Sequence, residues 1–142
     1  KMRAASWNQA QVSDASVVIV LCADLLAWKK DPARYWKNAP KSAQDYLVPA
    51  ILEAYEGKEG FQRDEAIRSC AMAAQTIMLA AKAMNYDSCP MIGFVPEEVA
   101  KIINLPQDHT IVMIVVVGKA LKAANPRGGQ LSLDEVTIHD HF

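Results

Sequence analysis

The sequence predicts an α/β protein, an α+β sandwich around one sheet, and three features carry that reading. Two short runs dense in β-branched residues, Val17 to Ala23 and Ile111 to Val117, have the length and composition of buried strands. Between them, Asp64 to Met84 is alanine-rich and carries a continuous apolar stripe at helical spacing, through Ile67, Cys70, Ala74, Ile77 and Ala81. Strand, several helices, then strand is the order expected of helices layered on a sheet.

Val17 to Cys22 is six apolar residues in succession, four of them β-branched, which predicts a strand covered on both faces and hence parallel pairing. Lys29 to Lys41, with Pro32 and Pro40, keeps no sustained period and is expected to be a surface excursion. Tyr35 and Trp36 within it, and Trp28 just before it, either stack on a substrate or cover a core edge. Ser42 to Glu56 places Leu47, Ile51, Leu52 and Tyr55 on a helix that Pro49 should kink or divide, and Gly57 and Gly60 should end it. The small residues of Asp64 to Met84 let another helix approach closely, in the core or at a subunit interface. Asn85 to Val95 reads as a loop. Pro96 then opens a short helix, with Glu97 and Glu98 at its positive end, that runs to about Asn104. Thr110 to Val117 is the second strand, stopped by Gly118. Lys119 to Phe142 reads as an extended arm with a binding loop at its start.

A chain of 142 residues that is 51% hydrophobic supports one domain with a real core. Fifteen basic and sixteen acidic residues leave a formal charge of −1, too little field to gather nucleic acid or anionic lipid. The apolar runs fall far short of the roughly 20 residues a membrane-spanning helix needs. Three cysteines, Cys22, Cys70 and Cys89, without a C-x-x-C spacing, suggest neither a disulfide framework nor a zinc site, and point to a reducing cytoplasm. No secretory leader is evident in the opening residues. A start at Lys1, on residues that read as the middle of an element, suggests part of a longer protein; initiation at Met2 after one added residue is the alternative.

The Walker, dinucleotide-binding and nucleophile-elbow signatures are all missing, so hydrolase chemistry is disfavoured and any nicotinamide must bind otherwise. His139-Asp140-His141 is a metal chelate or, more simply, a solvated tail, and no metal is expected. Cys89 is a reactive thiol or a small half-buried side chain, with no His or Lys beside it in sequence to lower its pKa. The segment Asp87-Ser88-Cys89-Pro90-Met91-Ile92-Gly93-Phe94 joins the long helix to the short one and offers a glycine where backbone can approach a flat ligand.

That segment, preceded by Ala83-Met84-Asn85-Tyr86, resembles the FMN-dependent nitroreductase family. So does Ser6-Trp7-Asn8-Gln9-Ala10-Gln11-Val12 before the first strand, and so do Gly118-Lys119 and Pro126-Arg127-Gly128-Gly129-Gln130-Leu131 after the last. The resemblance covers nearly the whole chain. It implies a nitroreductase-like fold, a central mixed sheet flanked by helices, and a homodimer with FMN at the interface. NADH or NADPH would reduce the flavin, and nitroaromatics, quinones or related small-molecule acceptors would reoxidise it. The chemistry would be the flavin's, with no catalytic side chain.

By motif position the resemblance makes Asn8 a flavin contact and sets Gln11 where many members place a lysine near the pyrimidine edge. A glutamine there offers a neutral hydrogen bond in place of a charge, and a less favourable flavin potential is expected. Pro90, Met91, Ile92 and Gly93 match the loop along the flavin whose backbone N–H faces N5. Arg127 matches the basic residue that reaches the FMN phosphate; a surface arginine is the alternative. Val95 replaces an aspartate common before the Pro-Glu-Glu helix start, which weakens the N-cap. The family's N-terminal Arg-x-Ser-x-Arg motif, and the Pro-Ser-x-x-Asn-x-Gln-Pro segment after it, have no counterpart here. Two other readings follow: a non-catalytic dimeric relic without FMN, and a relative with dehalogenating or flavin-fragmenting chemistry.

Overall fold

The computed structural model describes residues 1–141. Its sheet has three strands, β1 (Val17–Asp24), β2 (Asp87–Met91) and β3 (His109–Gly118), in the order β1-β3-β2. The helices are α1 (Met2–Ala5), α2 (Gln11–Asp14), α3 (Ala27–Lys30), α4 (Lys41–Tyr55), α5 (Glu59–Ala83), α6 (Pro96–Ile103) and α7 (Leu133–Val136), with a 3-10 turn at Pro32–Trp36.

Strand β3 is the centre of the molecule because its side chains alternate between two apolar layers. Ile114 and Val116 face a cluster of Ala5, Val12, Met91, Phe94 and Val99, contributed by α1, α2, α6 and the end of β2. Val115 faces the other way, onto Leu21 and Ala74, and so packs against α5. Helices on both faces explain the uninterrupted apolar runs.

The sheet is antiparallel throughout the described residues, with Val20 and Met91 both opposite Ile114, where parallel or mixed pairing was expected. Burial on both faces records that a strand is covered twice; it says nothing of the direction of its neighbours. Asp87–Met91 also forms a strand rather than loop. It lies at the sheet edge, where the missing N–H of Pro90 need break no ladder.

Helix α4 passes through Pro49 without division, and Asp45, whose carbonyl would have bonded that residue, lies exposed to water. The break between α4 and α5 falls at Gly57, with φ +69°, and Gly60 belongs to the first turn of α5. Asn85, with φ +60°, turns the chain out of α5, and Asn104, with φ +51°, ends α6. Both asparagines tolerate the left-handed region better than most residues. Helix α6 begins at Pro96 as expected, and Val95 gives it no side-chain cap. Residues 119–141 are exposed; among them Ser132 and Glu135 form a capping box that starts α7.

Candidate functional site

The segment after α1 and the segment after β2 meet on the α1/α6 side of the sheet. Trp7 and Asn8 both have positive φ, 51° and 57°, and reverse the chain in two residues. Arg3 spans that turn, donating from Nε to the Asn8 carbonyl at 3.0 Å and from its terminal nitrogen to Ser13 Oγ at 3.0 Å. The Val95 N–H donates to the Ala5 carbonyl at 2.8 Å and fixes the two segments together.

Gln9 makes the decisive contact. Its Nε2 donates to the Gly93 carbonyl at 2.8 Å, and also to Ser6 at 3.2 Å, while its Oε1 accepts from Gln11 Nε2 at 2.9 Å. A Cβ on Gly93 would lie 2.9 Å from Gln9 Nε2 and 3.0 Å from the Trp7 ring. Gly93 is therefore required by the side chains that pack on it, whereas the sequence suggested close approach of a ligand. Its own N–H donates to no described residue. A free backbone donor thus stands beside Ile92, which is 79% exposed, and the exposed Trp7.

The structure brings Gln11 and Gly93 together through Gln9, with Asn8 exposed in the adjoining turn and Pro90 exposed on β2. Met91 is different: its side chain is 5% exposed and packs in the core, so it supports the loop from beneath. Arg127 stays apart in the exposed tail, where its guanidinium donates to Gln130. Sequence reasoning singled out none of Arg3, Trp7 and Gln9, whose side chains brace the turn or pack on Gly93. Gln9 and Gly93 are 84 residues apart, and no local pattern announces such a bond.

A second polar cluster closes the far end of the sheet. Lys30 Nζ lies 2.7 Å from Asp24 Oδ2 and 2.7 Å from Asp108 Oδ2, and His109 Nδ1 lies 2.6 Å from Asp108 Oδ1. Asp24, Asp108 and His109 have the atoms of a metal site, all within 4.8 Å, but the Lys30 ammonium already bridges the carboxylates. Hydrogen bonds from Lys30 and His109 hold the Asp108 carboxyl at about 2. Burial pushes Asp24 up, but bonds from Lys30 and the Leu26 N–H outweigh it and leave it low.

Both carboxyls are thus lower when folded than when unfolded, so their contribution is present above the unfolded value of about 3.9; it is lost as pH falls through each lowered value, which for Asp108 is about 2. Lys30→Met is expected to lower Tm at pH 7 and to move acid unfolding to higher pH. Thermal melts across pH should show its gap from the parent closing towards pH 2; a constant gap would contradict the pairing.

The Nitroreductase family profile matches residues 1–119. DrgA of Synechocystis sp. is 56% identical over 117 residues, covering 82% of this chain and 56% of DrgA. MhqN of Bacillus subtilis, provisionally named an NAD(P)H nitroreductase, is 32% identical over 95% of this chain and 69% of its own length. The chain thus spans a little over half to about two thirds of these relatives. Among solved structures, ydfN of Bacillus subtilis, provisionally described as a nitroreductase, superposes with a TM-score of 0.89 at 31% identity. That match covers 97% of this chain and 70% of ydfN. A provisionally assigned nitroreductase of Exiguobacterium sibiricum, solved in complex with FMN, gives 0.87 at 26% identity, covering 96% of this chain and 68% of that one. The sheet with its two helical layers is the fold of those structures, and the profile match runs through both site segments to the end of β3: the chain belongs to the nitroreductase family.

Proposed function

We propose that the protein is a flavin-dependent oxidoreductase that uses FMN and NADH or NADPH to reduce nitroaromatic, quinone or similar acceptors. The observation that carries the reading is the Gln9 to Gly93 bond, which holds a loop with an unpaired Gly93 N–H beside an exposed apolar rim. That donor set suits the edge of a flat heteroaromatic ring. Family membership supports the cofactor assignment, as does the FMN bound by the Exiguobacterium structure.

When bound, the flavin would accept hydride from the nicotinamide and pass reducing equivalents to the acceptor. The chain's residues would bind and orient it. Gly93 would donate its N–H to a ring nitrogen, Gln11 would offer a neutral amide to the ring edge, and Ile92 and Trp7 would keep water from one side. Asn8 would contact the ring from the turn, and Pro90 and Met91 would set the path of the loop. Arg3, whose guanidinium already braces that turn, would place a cation beside these groups.

A homodimer is part of this proposal. Met72 and Leu79 on α5 are 65% and 62% exposed, large apolar side chains on a helix whose opposite face is in the core.

A second reading is a family member that has lost its cofactor. Turnover separates the two. The protein as its gene encodes it, loaded with FMN, should oxidise NADH or NADPH in the presence of a nitroaromatic or quinone. No acceptor-dependent oxidation with either nicotinamide would favour the cofactor-free reading.

A further inference from the structure

We propose that the cleft between α4, α5 and the end of β1 binds a planar aromatic molecule that carries an O–H or N–H donor and no negative charge. The cleft encloses about 410 Å³, in the range of small-molecule sites. It lies on the α5 side of the sheet, whereas the Gly93 loop lies on the α1/α6 side, so it is separate from the proposed flavin site.

Gln62 supplies the specificity. It lines the cleft and is 9% exposed, and its Nε2 is committed to the Tyr55 carbonyl at 2.7 Å. That bond fixes the amide plane and leaves Oε1 as the free acceptor. Oε1 takes no hydrogen bond from a described residue and is not fully enclosed, so a residue that lines the cleft keeps an accessible acceptor. A ligand that presents a donor would satisfy a side chain that is otherwise nine-tenths buried.

The walls select a ring. Trp28 and Tyr55 stack with centroids 6.0 Å apart and planes 18° from parallel, and Phe61 backs Tyr55 at 5.0 Å. Ile51 covers the α4 side. An anion would find no counter-charge, because no lysine or arginine lines the cleft, and Lys30 and Arg68 are already paired with its two carboxylates, Asp24 and Glu65. The Lys30 bridge to Asp24 and Asp108 ties down the end of α3, the helix that carries Trp28.

Titration calorimetry with naphthol, methoxynaphthalene and naphthoate tests the inference and needs no flavin, so its outcome is independent of the proposed activity. Naphthol should bind saturably. Methoxynaphthalene, of the same frame without the donor, should bind at least about fivefold more weakly, the worth of one hydrogen bond. Naphthoate should bind most weakly of the three. Ile51→Trp, which fills the cleft from a partly exposed position, should abolish naphthol binding, and Gln62→Leu should erase the preference for naphthol over its methyl ether. If Gln62→Leu proves unstable, the ranking on the parent chain decides alone. Equal affinity for naphthol and its ether, binding untouched by Ile51→Trp, displacement of naphthol by FMN, or no saturable naphthol binding would each overturn the proposal.

Discussion

Ile114→Ala is expected to be the most damaging of the substitutions considered, at about 2–5 kcal/mol of folding stability, the range for truncating a fully buried aliphatic side chain. Ile114 is fully buried on the central strand, opposite Val20 on one side and Met91 on the other. Its side chain belongs to the layer shared by Val12, Phe94 and Val99, which come from separate parts of the chain. The backbone around it is tied into two ladders and cannot collapse into the space left behind. Against a total stability of about 5–15 kcal/mol, such a loss is a large fraction. Urea unfolding should show a lower midpoint with an unchanged slope. Ile92→Ala is the control: that side chain is 79% exposed, and its removal should change stability by no more than about 0.5 kcal/mol. Equal losses at the two positions would contradict the assignment of the core.

Gly93→Val is the second large effect, expected at about 1–3 kcal/mol from crowding, with a heavier consequence for the site than for the fold. The new Cβ would meet Gln9 Nε2 at 2.9 Å and the Trp7 ring at 3.0 Å. Gln9 is able to swing away, but only by giving up its bond to the Gly93 carbonyl, worth about 1 kcal/mol net. Gln9→Ala should therefore recover part of the loss in the Gly93→Val background while costing stability alone. That non-additivity is the signature of a direct contact. Additive losses would mean that the two residues do not touch. Flavin affinity should fall in Gly93→Val by more than its stability loss accounts for.

Periodic features were legible in the sequence. Both strands, the alanine-rich helix and the Pro96 helix follow from local apolar spacing and from the backbone preferences of proline and glycine. Strand direction was not, because the core layers of β1 require only that both faces be covered, and an antiparallel neighbour meets that demand as well as a parallel one. Asp87 to Met91 escaped because proline at a sheet edge carries the same local signal as proline in a loop. Of the candidate site, the motif around Gly93 was readable, but the reason for its glycine was not. That reason is a side chain 84 residues earlier, and only the folded chain brings Gln9 to it. Arg127 lies in the exposed tail, bonded to Gln130, and residue type alone does not fix a place in space.

The measurement that bears most directly on the flavin assignment is the visible spectrum of the gene-encoded protein after addition of FMN and removal of the unbound cofactor. A retained yellow chromophore that bleaches under anaerobic NADH or NADPH, and is weakened in Gly93→Val, is the predicted result. A colourless, folded protein after the same treatment would contradict it.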